Sequence, residues 1–154
     1  MNLKKVLSAA TITLSLKSTT KEGVMEELVD LLMAAGKIRD LKDRKEALKA
    51  ILDRESKMST GMQNGIAIPH GKTDRVDSLV AAIGIKKEGV DFQALDGQPS
   101  RLFVMTLSPD TRTGPHIQFL AEISRQLSDA AIRERVLKAA TAEEVLDILS
   151  GDAH

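Results

Sequence analysis

The segment NGIAIPHGKTD, residues 64–74, holds the side chain best suited to chemistry in this sequence. It places His70, one of only three histidines, between Pro69 and Gly71 at the end of a short apolar run. An imidazole can serve as a nucleophile, a proton carrier or a metal ligand near neutral pH. It can also be a strand-end residue that caps a loop carbonyl. The spacing alone favours that structural interpretation about as much as any chemical one.

One chemical alternative is a phosphate-binding loop, because Gly71, Lys72 and Thr73 end a segment that begins with a glycine. The P-loop motif has four residues between its two glycines. Here Gly65 and Gly71 enclose five residues, and one of them is Pro69, which has no N–H to donate to a phosphate. The other enclosed residues include an apolar run typical of a strand. The sequence therefore argues against nucleotide binding through this segment.

A second alternative is a metal site. His70 and His116 could converge with Asp74 or Asp110, and a set of imidazole and carboxylate ligands suits zinc or iron. However, the chain contains no H-E-x-x-H motif and no closely spaced pair of histidines, so the signal is weak. We therefore predict no bound metal and no cofactor.

Composition argues against several classes of function. The 154 residues carry 22 basic and 22 acidic side chains, so the formal net charge is zero, which disfavours bulk electrostatic binding to nucleic acid or to an acidic membrane. Aromatic residues make up only 2%, which disfavours stacking platforms for bases or sugars. Because the chain has no cysteine, it has no disulfide and no thiol nucleophile of its own.

The amino terminus, MNLKKVLSAATITLSL, faintly resembles a signal peptide, because two lysines precede a mildly apolar run. Serine and threonine dilute that run, and its last six residues alternate as a strand does. No segment of the sequence is long and apolar enough to span a bilayer. We expect a cytoplasmic protein.

The elements that must position His70 follow from the periodicity of the chain. Apolar residues recur with helical spacing in segments 19–38, 43–55, 116–127, 129–140 and 141–149. Apolar runs typical of strands lie between them, in segments 65–69, 79–85 and 101–108. Short, nearly continuous apolar strands are typical of a sheet covered on both faces. The sequence therefore predicts a single-domain α/β sandwich, with a central mixed β-sheet flanked by helices.

Capping residues predict where two of the helices begin. Thr19 with Glu22, and Thr141 with Glu144, have the spacing of a capping box, in which the threonine begins the helix and the glutamate reaches back to it. Gly36 is a natural stop for the first of these helices. These signals set the expected bounds of the elements around the histidine segment.

Three segments together resemble a known family. DRESKMSTGMQNGIAIPHGK, EGVDFQALDGQP and TGPHIQFLAEISRQLSD are similar, in order and spacing, to the enzyme IIA domain of the fructose/mannitol class of the bacterial sugar phosphotransferase system. The resemblance covers essentially the whole chain and implies a single enzyme IIA type 2 domain over residues 1–154. Two departures are small. Met58 stands where a glycine is common, and Pro115 belongs to a less usual approach to His116.

The resemblance implies a phosphoryl relay. Domains of this family accept a phosphoryl group from phosphorylated HPr and pass it to a cysteine of IIB, which phosphorylates the sugar held by the membrane component IIC. His70 matches the family's phosphoryl acceptor, which reacts through Nε2, while His116 matches its second histidine and Arg54 its arginine. Since this chain has no cysteine, the resemblance implies a stand-alone relay whose IIB partner is another chain.

The chemistry of these residues suits that role. A P–N bond is labile enough to hand its group onward, and one ring nitrogen of His70 can accept it while the other donates to a backbone carbonyl. Pro69 stiffens the chain before the ring, and we expect Gly71 to let the backbone turn away so that the ring projects. The Arg54 guanidinium offers a planar fork to phosphoryl oxygens. We expect His116 to bond a phosphoryl oxygen or to line the site.

Weaker candidates surround these residues. Three of them could hydrogen-bond near the phosphate, although each fits equally well as a turn residue: Ser59, Thr60 and Asn64. Met58, Met62 and Ile66 are candidates for an apolar docking patch, although core burial is the more natural fate of Ile66. His154 ends the chain and is expected to be a tail residue.

Two functions are compatible with the resemblance. The first is a transport relay for fructose, mannitol or a related sugar or alditol, with phosphorylated HPr and IIB as partners, IIC reached only indirectly, and no nucleic acid. The second is a nitrogen-type regulatory protein, which accepts phosphate on the same histidine and binds target proteins according to its phosphorylation state. The segment EGVDFQALDGQP is closer to the fructose type and favours transport.

Overall fold

The computed structural model describes residues 1–111 and 113–151, with helices before and after a group of strands. Two short 3-10 helices, Leu3–Lys5 and Ala9–Thr11, precede the first strand. The α-helices are α1 (Lys21–Ala34), α2 (Leu41–Lys57), α3 (Thr113–Leu127), α4 (Ala130–Lys138) and α5 (Ala142–Ser150). The strands are β1 (Ile12–Thr13), β2 (Ile66–Ala67), β3 (His70–Lys72), β4 (Val80–Val90) and β5 (Ser100–Ser108).

The strands form one mixed sheet around the antiparallel pair of β4 and β5. β1 pairs in parallel with β4 on one side of this pair. On the other side, β2 and β3 pair in parallel with β5, one after the other, and only Ile68 and Pro69 separate them. His70 therefore begins a short strand at the edge of the sheet.

Helices cover both faces of the sheet, because alternate side chains of each strand point to opposite faces. On β5, Phe103 and Met105 pack into a cluster with apolar residues of α1 and α2. Leu102 and Val104 point the other way, into a cluster with α3, α4 and α5. The prediction of a sandwich with a central mixed sheet is confirmed.

The helical and strand-like segments predicted from periodicity are all present in the structure, although the predicted strand in the N-terminal run shortens to Ile12–Thr13. One predicted helix start is wrong. The cap of α1 is Thr20, whose hydroxyl accepts from the N–H of Gly23 at 3.1 Å, and not Thr19. This shift of one residue puts Glu22 too early in the helix to complete a capping box.

The last helix begins where the sequence predicts. The hydroxyl of Thr141 accepts from the N–H of Glu144 at 3.1 Å. The Glu144 carboxylate accepts in turn from the N–H of Ala140 at 2.8 Å, one residue before the expected position. Within the described part of the chain, every helix is too short or too polar to cross a membrane. His154 lies outside the described residues.

Candidate functional site

A short hairpin carries the chain to the histidine. Residues 60–68 fold back on themselves, and the N–H of Ile68 donates to the carbonyl of Thr60 at 3.0 Å. At the tip, Asn64 and Gly65 have φ values of 63° and 75°. Asparagine and glycine adopt this left-handed conformation more readily than other residues do, so the pair is well suited to a tight turn.

β3 then places His70 directly beside Thr106, its register partner on β5. The N–H of Thr106 donates to the carbonyl of Pro69 at 3.1 Å, so the chain is held to β5 immediately before the histidine. Pro69 has no N–H, and at this point the sheet uses only its carbonyl, as an acceptor. The position of His70 is thus fixed by strand pairing as well as by the stiffness of the proline.

Gly71 has a different role from the predicted one. It lies within β3, and its φ is not positive, so the backbone does not turn away there. A Cβ on Gly71 would lie 3.0 Å from backbone atoms of Ala50 and Ile51, so the glycine allows α2 to pack directly on the strand. The ring of His70 projects because successive side chains of a strand point to opposite faces.

The ring of His70 has one nitrogen bonded to the backbone. Nδ1 lies 2.9 Å from the carbonyl oxygen of Ile68. Because a carbonyl oxygen can only accept, Nδ1 must carry a proton. In the neutral ring Nε2 then holds the lone pair and is the nucleophilic nitrogen. The side chain is only half-buried, which suits a nitrogen that must meet another molecule.

His116 lies beside His70, in the first turn of α3. The centroids of the two rings are 5.4 Å apart and their planes are inclined by 49°. Nε2 of His116 lies 2.9 Å from Oγ1 of Thr106. Pro115 occupies the first turn of the helix, where its missing N–H removes no intrahelical bond, and His116 stays beside His70.

The surroundings of His116 favour its neutral form. Burial lowers the pKa of the His116 imidazole below its ordinary value, and positive charge on His70 and Lys72 lowers this pKa further. The ring is therefore neutral near neutral pH, with one N–H and one lone pair. The two histidines are thus adjacent rings with different hydrogen-bond partners.

Arg54 lies on α2, which packs on the other face of the sheet. It is in the last turn of the helix, one turn beyond Ala50, whose backbone a Cβ on Gly71 would meet at 3.0 Å. Residues four apart lie on the same side of a helix, so Arg54 extends from the side that packs on β3. Its Nη1 donates to the carbonyl of Met58 at 2.8 Å, just beyond the helix end.

A second polar group fixes the base of the hairpin. The carboxylate of Glu55 accepts from the N–H and the hydroxyl of Thr60, at 2.8 and 2.6 Å, and lies 2.8 Å from Nζ of Lys21. Glu55 is only 5% exposed, and Nζ of Lys21 also lies 5.0 Å from the ring centroid of Phe92. We call Lys21, Glu55 and Thr60 the buried ion-pair cluster.

The weaker candidates from the sequence have structural partners. Thr60 belongs to the buried ion-pair cluster. The hydroxyl of Ser59 donates to the carbonyl of Phe92 at 2.6 Å. The N–H of Asn64 donates to Oδ2 of Asp96 at 3.1 Å, which holds the tip of the hairpin. These contacts support the interpretation of all three as turn and loop residues.

The alternative metal site is not assembled. Within residues 1–111 and 113–151, no three or more His, Cys, Asp or Glu side chains come together as a ligand set. Asp74 and Asp110 therefore do not complete a site with His70 and His116.

Thr106 lies near the two histidines, although no motif in the sequence marks it. It is 1% exposed and contributes a hydroxyl to a face of the sheet that is otherwise apolar at Leu102 and Val104. Its signal in the sequence is a lone hydroxyl within the apolar run RLFVM-T-L. That signal becomes informative only when the register of β3 on β5 is known.

Comparison with known proteins identifies the family of this chain. The family model for "Phosphoenolpyruvate-dependent sugar phosphotransferase system, EIIA 2" matches residues 5–151. The chain belongs to this family. EIIA domains are the components of a phosphotransferase system that carry a phosphoryl group, so this EIIA 2 domain is a phosphotransferase component.

Curated relatives of this EIIA 2 domain have two kinds of name. The fructose-specific EIIA component of Haloferax volcanii is 40% identical over 139 residues, which cover 90% of this chain and 88% of the relative. The fructose-specific EIIABC component of Bacillus subtilis is 39% identical over 97% of this chain, and the match spans only 23% of that longer protein. The nitrogen regulatory protein of Pseudomonas aeruginosa is 31% identical over 97% of this chain and 95% of its own length.

Solved structures of both kinds share the fold. Nitrogen regulatory protein IIA-Ntr from Neisseria meningitidis superposes with a TM-score of 0.86 at 31% identity, covering 96% of this chain and 98% of its own. Enzyme IIA of the mannitol system from Escherichia coli, solved in complex with phosphorylated enzyme IIB, superposes with a TM-score of 0.78 at 30% identity, covering 94% of this chain and 97% of its own.

Proposed function

We propose that this EIIA 2 domain relays a phosphoryl group through Nε2 of His70, from phosphorylated HPr to a cysteine of a IIB protein. The observation that carries the proposal is the hydrogen bond of 2.9 Å between Nδ1 of His70 and the carbonyl of Ile68. This bond fixes the proton on Nδ1 and leaves the lone pair on Nε2, in a half-buried ring at the sheet edge.

The transfer then has two steps. In the first, the Nε2 lone pair attacks the phosphorus, and the donor's P–N bond breaks with its electron pair returning to the donor histidine. The His70 ring gains a positive charge, and the Ile68 carbonyl stabilises its Nδ1–H. In the second step a thiolate of IIB attacks the phosphorus, and the P–Nε2 bond breaks to restore the neutral ring.

Arg54 and His116 are the groups proposed to stabilise the transferred phosphoryl group. Its charge is spread over the equatorial oxygens in a loose transition state. The guanidinium of Arg54 can bond two such oxygens at once when it exchanges the single bond to Met58 for the phosphoryl group. His116 can donate one hydrogen bond from a neutral ring, 5.4 Å from the acceptor ring.

Exposed apolar side chains, two of which are next to Arg54 or His116, suit transient docking of protein partners. Among the large apolar residues that remain exposed are Met58 at 70%, Met62 at 39%, Leu95 at 71% and Ile117 at 65%. Met58 accepts the bond from Arg54, and Ile117 follows His116 in the chain. A modest apolar surface around a reactive side chain is suited to brief encounters with a donor and an acceptor in turn. Ile66, by contrast, is partly buried against the core.

The relatives support two versions of this function. Fructose-specific EIIA and EIIABC components are 40% and 39% identical to this chain, whereas the nitrogen regulatory protein is 31% identical. We therefore propose a role in sugar uptake, of the fructose type, at the cytoplasmic side of the membrane. The alternative is a nitrogen-type regulator. It is favoured by the IIA-Ntr structure, whose TM-score of 0.86 exceeds the 0.78 of the mannitol enzyme.

The test of the relay is phosphoryl transfer with purified components. Incubation with phosphorylated HPr should add one acid-labile, base-stable phosphate to the parent protein. His70→Ala should take up none, and His116→Ala should still be labelled. Uptake of phosphate by the His70→Ala variant contradicts the assignment of the acceptor.

A second measurement separates transport from regulation. The labelled protein is mixed with a panel of IIB domains, and transfer to the cysteine of a fructose-type IIB is the expected result. A regulatory protein would transfer to none of them. Instead, its phosphorylated form and the His70→Ala variant, which cannot be phosphorylated, would bind target proteins with different affinities.

A further inference from the structure

Thr106 connects the two histidines. It lies opposite His70 in the parallel register of β3 on β5, and its N–H is bonded to the carbonyl of Pro69. Its hydroxyl oxygen lies 2.9 Å from Nε2 of His116. Because Thr106 is 1% exposed, its hydroxyl is shielded from water. The bond to His116 is therefore the interaction that satisfies this hydroxyl within the fold.

The hydroxyl can engage Nε2 in two ways, because it can either donate or accept. If the hydroxyl donates, Nε2 holds the lone pair and the ring proton is on Nδ1. If the hydroxyl accepts, Nε2 carries the proton and Nδ1 is a bare lone pair. The ring is neutral near neutral pH, since burial together with positive charge on His70 and Lys72 lowers the pKa of His116, so only one nitrogen carries a proton.

The transferred group distinguishes these two tautomers. A phosphoryl group on His70 carries about two negative charges near neutral pH, and its oxygens accept hydrogen bonds. With Nε2 bonded to Thr106, Nδ1 is the remaining ring nitrogen of His116 that can meet these oxygens. A bare lone pair on Nδ1 would repel them, whereas an Nδ1–H would bond them. For the neutral ring, the tautomer that bonds the phosphoryl oxygens is therefore the one in which Thr106 donates.

We propose that Thr106 is a positioning residue that donates to Nε2 of His116 and so presents the Nδ1–H of that ring to the phosphoryl group on His70. The inference rests on the proposed function of His70 as phosphoryl acceptor. The two rings are held in complementary ways. The backbone bonds Nδ1 of His70 and leaves Nε2 to react, while a side chain bonds Nε2 of His116 and leaves Nδ1 to donate.

Thr106→Val tests this role, because valine keeps the shape of threonine and removes the hydroxyl. Thr106→Ser restores a hydroxyl at the same position. Thr11→Val is the matched control. Thr11 is also fully buried, and its hydroxyl donates to the carbonyl of Ser8 at 3.1 Å, within a short helix near the amino terminus.

The first measurement is the tautomer of His116, from ring ¹⁵N shifts of the unphosphorylated protein above the pKa of the ring. We expect an unprotonated Nε2 and a protonated Nδ1 in the parent, Thr106→Ser and Thr11→Val proteins. Thr106→Val should shift toward a proton on Nε2. A protonated Nε2 in the parent overturns the proposal, and this spectrum decides the question even if Thr106→Val does not fold.

The second measurement is the single-turnover rate of His70 phosphorylation, with phosphorylated HPr and, separately, with phosphoramidate as a small P–N donor. Thr106→Val should slow both by about tenfold, comparable to the loss of an orienting partner at a metal-bound histidine. Thr106→Ser should recover most of the rate, and Thr11→Val should match the parent. Parent-like rates in Thr106→Val overturn the proposal. Absence of labelling in the parent, with the expected tautomer present, contradicts the proposed function instead.

Discussion

Two polar groups of this domain lie on opposite sides of the same edge of the sheet, and they differ in how their hydrogen bonds are used. In the buried ion-pair cluster, Glu55 bonds both polar groups of Thr60 and the ammonium of Lys21, and it is 5% exposed. His70 and His116 are half-buried, and each ring has one nitrogen bonded within the protein. A polar group whose hydrogen bonds are all made within the protein stabilises the fold. A ring that keeps one nitrogen unbonded can interact with another molecule and take part in chemistry.

The comparison predicts that substitutions in the two groups damage different properties. Glu55→Ala leaves Lys21 without its carboxylate, and breaking a buried ion pair by removing one partner lowers the free energy of unfolding by about 3 kcal/mol. His70→Ala removes a half-exposed ring and should change that free energy by less than about 1 kcal/mol while it abolishes phosphate uptake. Urea unfolding of both variants measures the free energies of unfolding, with Glu55→Gln as the isosteric control. Labelling by phosphorylated HPr measures phosphate uptake. A large loss of stability in His70→Ala would show that the histidine is a structural residue.

Arg54 is the next largest expected effect. Arg54→Ala should slow transfer both from HPr and to IIB by ~10²-fold, as loss of a positioned donor to a developing charge does. Arg54→Lys should recover only part of the rate, because an ammonium cannot bond two oxygens in one plane. Lys57→Ala, in the same last turn of α2, is the control and should react as the parent does. If Arg54→Ala reacts as fast as the parent in both single-turnover half-reactions, Arg54 is not part of the site.

His116 should matter less than Arg54, because a neutral imidazole donates one hydrogen bond where a guanidinium donates two. His116→Ala should still accept phosphate on His70, but both this step and the transfer to IIB should be slower than in the parent. The measurement is the rate of each half-reaction in single turnover. Parent-like rates in both half-reactions would show that His116 does not act on the transferred group.

A smaller effect concerns stability against pH. The folded pKa of His116 is lowered by burial and by positive charge on His70 and Lys72, whereas the unfolded chain has the ordinary value of about 6.5. Between these values the unfolded state binds more protons, so stability falls as pH drops through about 6.5 toward the folded pKa. The His116→Ala variant should lose less stability than the parent over this window. Equal losses in urea midpoints, compared across the window, would contradict the prediction.

The smallest expected effect is that of chelation. The phosphohistidine donor already supplies an activated group, so labelling should be unchanged after treatment of this protein with EDTA, with magnesium supplied only to the upstream kinase. Loss of labelling that zinc restores would revive the metal interpretation of His70 and His116.

The sequence predicts the strand before His70 because its signals are local. The apolar run, the proline and the histidine of segment 64–74 are adjacent in the chain, whereas the acceptor role of His70 is implied by the resemblance to the family and not by these signals. The predicted role of Gly71 is wrong. Its actual role depends on its packing against Ala50 of α2, a neighbour that the periodicity of the sequence does not reveal. Thr106 was missed for the same reason, since its importance follows from the register between strands far apart in the sequence.

The caps show the same limit on a smaller scale. Thr19 and Thr20 are adjacent and chemically identical, so the sequence offers two equivalent starts for α1. The structure uses Thr20, because its hydroxyl reaches the N–H of Gly23. The type and order of the elements were predictable from apolar periodicity. The exact residue at which a helix begins depends instead on which of two neighbouring hydroxyls can bond a backbone N–H of the packed helix.

The parallel pairing of β3 with β5 also bears on how the chain folds. His70 and Thr106 meet only after the intervening chain, including all of β4, has been brought back on itself, and closing such a long loop costs entropy before any contact forms. Contacts of this range form slowly in small domains. The acceptor histidine of a half-folded chain therefore has its local bond to the Ile68 carbonyl but lacks the neighbouring imidazole. Phosphoryl uptake at the full rate would then report that the sheet is complete, and a chain that has not finished its sheet would draw phosphoryl groups from the donor more slowly.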